Sequence, residues 1–231
     1  MILSQLRLLA RAMIPGAKIS VVKNSVLDLL LNEGVKDIAA FTLCLKANKK
    51  FNAKEDKFEY ILSDEIGDFL GVDKSGLWWY NGTQWREVFP KTLKWLDENK
   101  PNWRSLPSSA GGRILCYSIE ADVLTVHPTP GEDGTDYFWL YYGAAPNPMT
   151  AEGHYPFTGS TTELTQLSIF DIAIIKYAKW LIQPMLSKDQ QSSLSKQEYE
   201  QERAEKNAIF YRRKDIMASP GAKASGPRVG K

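Results

Sequence analysis

Residues 167–186 read Leu-Ser-Ile-Phe-Asp-Ile-Ala-Ile-Ile-Lys-Tyr-Ala-Lys-Trp-Leu-Ile-Gln-Pro-Met-Leu, and this stretch decides the fold. Ile169, Phe170, Ile172, Ala173, Ile174, Ile175, Tyr177, Ala178, Leu181 and Ile182 surround most of a helical circumference, so the helix must be buried on several sides. A bilayer is not the burying medium. Asp171, Lys176, Lys179 and Gln183 interrupt the run, and a charge at the bilayer centre costs about 2.5–3.5 kcal/mol on insertion scales. The stretch is expected to be a protein-buried helix, and at roughly 1.5–3 kcal/mol gross per large apolar side chain it is the main structural post.

Outward from the post, residues 190–217 form a second, polar helix with a thin apolar seam of Leu194, Tyr199, Ala204, Ala208, Ile209 and Tyr211; it is expected to pack on one side only. Residues 218–231 are small, proline-punctuated and basic, too poor in apolar area to offset their own ordering, and are expected to form a flexible tail. Before the post, residues 144–162 make a Pro/Gly-rich linker held irregular by Pro146, Pro148 and Pro156. At the other end of the chain, residues 24–34 have a capping residue at Asn24 or Ser25, apolar Val26, Leu27, Leu29, Leu30 and Leu31, and a terminating Gly34. Residues 35–45 continue at helical spacing, so a helical hairpin or a bend at the glycine is predicted.

Between these helices the texture changes to short alternating pieces split by turn residues. Trp79-Tyr80-Asn81-Gly82-Thr83-Gln84-Trp85 is the clearest, because Asn-Gly supplies the two positive φ angles of a two-residue hairpin turn. Residues 91–100 suggest a short helix ended by Pro101. Residues 114–119, 123–127 and 137–142 read as a meander of three strands. The fold class is thus α+β: residues 1–45 plus 163–217 as a helical bundle, with residues 46–143 inserted as an antiparallel β-sandwich or small barrel.

The 231-residue chain has seven Trp and ten Tyr, ample for a packed core. Its net charge of +2 is too small to drive nucleic-acid or membrane binding without local asymmetry. Cys44 and Cys116 lie far apart, which argues against a disulfide framework or zinc site and fits a reducing, cytosolic origin. Residues 1–15 are apolar, but Arg7 and Arg11 interrupt them and no cleavage site follows, so no signal peptide is expected.

Chemistry is sparse. His127 and His154 stand beside proline-rich turns without metal-ligand spacing. Gly111-Gly112 lacks the lysine and following helix of a phosphate cradle. Asp64-Glu65, Asp97-Glu98 and Glu132-Asp133 fit solvated turns and helix ends better than a catalytic carboxylate pair. No catalytic residue, metal ligand or cofactor site is expected, and the chain is not expected to be an enzyme. Two surfaces stand out. The tryptophan hairpin, with Trp79, Asn81 and Trp85 as possible tip contacts, could stack on sugar rings or simply pack. The C-terminal end carries Arg212, Arg213, Lys214, Lys223, Arg228 and Lys231 against Asp215 alone, a composition that suits a peptide ordering against a partner groove as well as a solvated tail.

The order of elements resembles the head-to-tail adaptor (connector, or tail tubular A-like) proteins of tailed bacteriophages, chiefly podovirus-like ones. The residues that carry the likeness are Leu30-Leu31-Asn32-Glu33-Gly34-Val35-Lys36-Asp37-Ile38-Ala39, the Pro101-Asn102-Trp103 loop, Val123-Leu-Thr-Val-His-Pro-Thr-Pro130, Tyr141-Tyr142-Gly143-Ala144-Ala145-Pro146 and residues 172–180. The resemblance implies a structural virion protein, assembled in the host cytoplasm and resident in the virion neck. Copies would form a twelve-fold ring between portal protein and tail or nozzle proteins, with DNA passing through the lumen during ejection and no membrane involved. It further implies that the basic C-terminal residues, Arg212, Arg213 and Lys214 with Lys223, Arg228 and Lys231, dock on the portal. The alternative is a carbohydrate-binding or tail-accessory module using the tryptophan hairpin.

Overall fold

In a computed structural model of the chain, residues 1–100, 103–105 and 114–218 are described. They form an α+β fold of six α-helices and a curled, half-barrel sheet of seven strands. The chain divides into two compact units. Met1–Ile38 joins with the chain from Asn147 onward, and Ala39–Pro146 forms the other.

The first unit is helical. Helix α1 (Leu3–Met13) buries Leu3, Leu6 and Ala10. Helix α2 spans Asn24–Thr42 without a break, so Gly34 does not terminate it and the expected hairpin does not form. The glycine serves packing instead. A Cβ at Gly34 would lie 3.2 Å from Tyr177 Cβ and 3.3 Å from the Ile174 carbonyl oxygen, so its absence lets the two helices approach closely. The post itself begins later than its sequence suggests: residues Thr165–Phe170 make a 3₁₀ turn before the helix Asp171–Met185, in which Ala173, Ile174, Ile175, Ala178 and Ile182 are fully buried. The segment ahead of it is tied in rather than loose. The Asn32 side chain donates to the Met149 carbonyl at 3.1 Å and accepts from the Met149 amide at 2.8 Å, and the Leu3 and Ser4 amides donate to the His154 and Glu152 carbonyls.

The last helix runs Asp189–Ala218. Its contact face keeps Tyr199 of the predicted seam, which is buried with Ser195, but leaves Leu194 60% exposed and Ile209 exposed. Charge pairing sets this phase. Glu202 accepts from Lys176 at 2.6 Å and Glu198 from Lys179 at 2.8 Å, joining the helix to the post.

The second unit holds strands β1 (Lys46–Ala53), β2 (Glu59–Ile61), β3 (Phe69–Tyr80), β4 (Trp85–Pro90), β5 (Cys116–Glu120), β6 (Val123–His127) and β7 (Gly134–Ala144), with α3 (Leu62–Glu65) and α4 (Leu93–Asn99) between them; the two helices of the first unit that follow are then α5 (Asp171–Met185) and α6 (Asp189–Ala218). The sheet order is β1-β7-β3-β4-β5-β6-β2. Strands β1 and β2 are opposite edges, yet only residues 54–58 join them, so the sheet must curl until its edges meet. Phe51 of β1 and Tyr60 of β2 accordingly come within 5.9 Å, ring to ring, and Phe138 stacks on Phe51 and meets Tyr60 edge-on. Both halves of the sheet share one core containing Leu77, Trp79, Val88, Leu124, Val126 and Leu140.

Two sequence expectations fail here. The meander does not form: β5 and β6 pair as a hairpin, but β7 inserts between β1 and β3. Pro128 and Pro130 end β6, and β7, flanked on both sides, takes the position where its alternating Phe138, Leu140 and Tyr142 are buried. The sheet is also not wholly antiparallel, because β4 meets β5 in parallel at Phe89 and Pro90.

Candidate functional site

The β3–β4 hairpin forms where the sequence places it, with Tyr80 opposite Trp85. Its tip is a four-residue connection rather than a two-residue turn. Gly82 alone of the central pair has positive φ, at 83°, while the Asn81 side-chain oxygen accepts from the Thr83 and Gln84 amides at 3.2 and 2.9 Å. The Asn81 side-chain oxygen thus satisfies the loop backbone.

Strand parity then sorts the tryptophans. Trp79 is 3% exposed and packs on Phe138 and Tyr137 in the core, so it is not a hairpin-tip contact. Trp85 faces the other way. On that outer face Trp85 lies 5.3 Å from both Tyr80 and Trp139, Trp139 lies 4.9 Å from Tyr141, and Trp78 is paired directly with Trp139. The Lys50 ammonium caps this array, 5.0 Å from the Trp85 ring and 5.2 Å from the Trp139 ring, and Asn48 accepts from the Trp139 indole at 3.0 Å. The platform is therefore built from four strands, β1, β3, β4 and β7. The sequence motif showed only its β3–β4 part, because Trp139 and Lys50 arrive through the unpredicted pairing of β7 with β1 and β3.

Of the C-terminal cations, Arg212 is exposed on α6. Arg213 and Lys214 belong to the same helix, their side chains lying outside the described residues, as do Lys223, Arg228, Lys231 and the rest of residues 219–231. The Pro101-Asn102 dipeptide and Gly111-Gly112 also fall outside them.

In the helical unit several charged and polar side chains pair with one another. Arg7 grips Asp28 through two nitrogens at 2.5 and 2.6 Å, and Asp37 accepts from both the buried Tyr199 hydroxyl and Arg203. The acidic pairs of the sheet unit behave alike: Asp97 accepts from the Trp103 indole and Arg104, and Asp133 from the Glu55 amide. Among the described residues no three His, Cys, Asp or Glu side chains converge as metal ligands, and no helix is long and apolar enough to cross a membrane. No protein-family model matches the chain and no curated protein matches it.

Proposed function

We propose that this chain is a structural virion protein, a head-to-tail adaptor whose copies form a ring between portal and tail in a tailed bacteriophage. The observation that carries the reading is the union of the two chain ends. Met1–Ile38 and the chain from Asn147 onward make one compact unit while Ala39–Pro146 makes another, which is the order of parts that the resemblance calls for. The finer architecture belongs to the same proposal: a bundle from both ends of the chain carrying an inserted β-sandwich or small barrel. Polar groups committed to interhelical locks suit a subunit that works through its surfaces. Ring closure would follow from a heterologous interface whose rotation closes. Many tethered basic tails, each weak, would bind a portal through high effective concentration.

The test is a chain ending at Ser219. It should fold with unchanged helicity and lose portal docking in a pull-down; normal docking by that chain would remove the tail from the mechanism. A second reading, a carbohydrate-binding or tail-accessory module, is favoured by the outer platform of Trp78, Trp85 and Trp139. Glycan-array binding that disappears in Trp85→Ala would support it, and no binding at millimolar sugar would end it.

A further inference from the structure

One charge closes each end of the outer aromatic face. Strand register sets Lys50 of β1, Trp139 of β7, Trp78 of β3 and Glu87 of β4 side by side in a single row. Three inter-strand steps of about 4.8 Å separate the ends of that row, so a cation and a carboxylate stand about 14 Å apart with two tryptophans between them. Lys50 and Glu87 are exposed, and both tryptophans are half-buried. Neither charge has an ion-pair partner among the described residues.

The polar groups left open at the Lys50 end are donors. The Asn48 side-chain oxygen is taken by the Trp139 indole at 3.0 Å, which leaves the Asn48 NH₂. The Trp78 indole donates to the Ser75 carbonyl at 2.8 Å, whereas the Trp85 indole has no acceptor among the described residues. Other polar groups of β1 are occupied: Lys46 pairs with Asp73, and the Asn52 oxygen accepts from the Asp136 amide at 3.0 Å. The Lys50 ammonium, attracted to the Trp85 and Trp139 rings at 5.0 and 5.2 Å, still lacks a counter-ion. Ammonium, amide and indole N–H therefore surround the rings with donors and no free acceptor.

A ligand matched to this end offers a flat apolar face to the rings and, on one side, a group that accepts without donating. A neutral sugar meets the rings, but its hydroxyls donate as well as accept and leave the ammonium without a counter-charge. A polyanion such as single-stranded nucleic acid needs cations all along its track, and this row ends instead in Glu87. A sugar bearing one carboxylate satisfies both limits, because its oxygens accept charge-assisted bonds at one end alone. We propose that the outer platform binds a uronic acid residue of an acidic polysaccharide, its carboxylate held by Lys50 with the Trp85 indole and Asn48 amide as further donors, and its pyranose ring lying on Trp85, Trp139 and Tyr141. Glu87 sets the direction by repelling the carboxylate from the far end. The proposal rests on the sugar-binding reading of this platform and names the sugar it takes.

The experiment is a titration of the nitrogen-15-labelled full chain with methyl β-glucuronide and with methyl β-glucoside, which differ by a carboxylate in place of a hydroxymethyl group. The glucuronide should bind about fivefold more tightly at low salt, move the Trp85 indole N–H signal more than those of Trp78 and Trp139, and lose its advantage as salt is raised. Lys50→Gln, at an exposed position, should bring the glucuronide down to the affinity of the glucoside and leave the glucoside unchanged. Equal affinity of the wild type for both sugars would overturn the acidic-sugar proposal while leaving the sugar-binding reading in place; no response to either at millimolar concentration would overturn both. Tighter binding of oligothymidylate than of the glucuronide would overturn the proposal in favour of a nucleic acid, and a Trp85 signal that answers to protein concentration but to neither sugar would overturn it in favour of a second copy.

Discussion

The two units solve the same burial problem with different chemistry. The sheet unit fills its core with rings: Phe51, Tyr60, Trp79 and Phe138 contact one another within a curled sheet. The helical unit buries an aliphatic core that includes Leu6, Leu27, Leu31, Ile174 and Ile175, and adds charged hydrogen bonds between helices: Arg7 with Asp28, Asp37 with Tyr199 and Arg203, and Lys176 with Glu202. Apolar burial is non-directional and tolerates an irregular sheet with bulges. Paired charges fix helix phase, and they do so at the cost of desolvation that only good geometry offsets.

Substitutions can break this comparison in order of size. Phe138→Ala removes the ring that ties both sheet edges together and should cost about 3–5 kcal/mol, read as a large fall in the sheet unit's denaturation midpoint. Tyr199→Phe deletes a buried hydroxyl donating to a carboxylate and should cost about 1.5–3 kcal/mol in the helical unit. Gly34→Ala pits a gain in helix propensity of up to about 1 kcal/mol against overpacking of about 1–3 kcal/mol. Because the obstructing atoms are a Cβ and a backbone oxygen, overpacking should win, with a net loss near 1 kcal/mol by thermal melting. Gly153→Ala, where nothing lies within 4 Å, is the silent control.

A pH titration sharpens the same contrast. Burial pushes the Glu202 carboxyl up, but hydrogen bonds and charge from Lys176 and Lys206 outweigh it and hold it below its ordinary range. A carboxylate depressed in the folded state contributes stability above its unfolded pKa of about 4.3, and that contribution is lost as pH falls through the folded value. Wild type should therefore lose stability on acidification below about pH 5 more steeply than Glu202→Gln, by equilibrium unfolding at several pH values. The smallest effect belongs to the exposed pair Lys94 and Glu98, 3.8 Å apart, where Lys94→Ala should change stability by no more than about 0.5 kcal/mol.

How much the sequence disclosed follows from this division. Local signals were legible: the Asn81-Gly82 hairpin, the short helix after Lys91, and the buried post, whose apolar circumference admits no other reading. Long-range pairing was not. Nothing local tells residues 137–142 to join β1 and β3 instead of β6; that choice is made by the curl that brings β1 to β2. Gly34 looked like a terminator because its reason, the close approach of Tyr177 and Ile174, is 140 or more residues away. Leu194 looked like seam because apolar spacing cannot see that Lys176 and Lys179 fix the phase of α6. Trp79 was placed at the surface because hairpin register, not composition, decides which of two adjacent tryptophans is buried.

The adaptor reading stands or falls on assembly. Native mass measurement of the full chain, alone and with a candidate portal protein, tests this most directly. The account predicts a portal-bound ring of this chain, twelve copies by the resemblance; a chain that keeps its monomer mass and leaves the portal bare would contradict it.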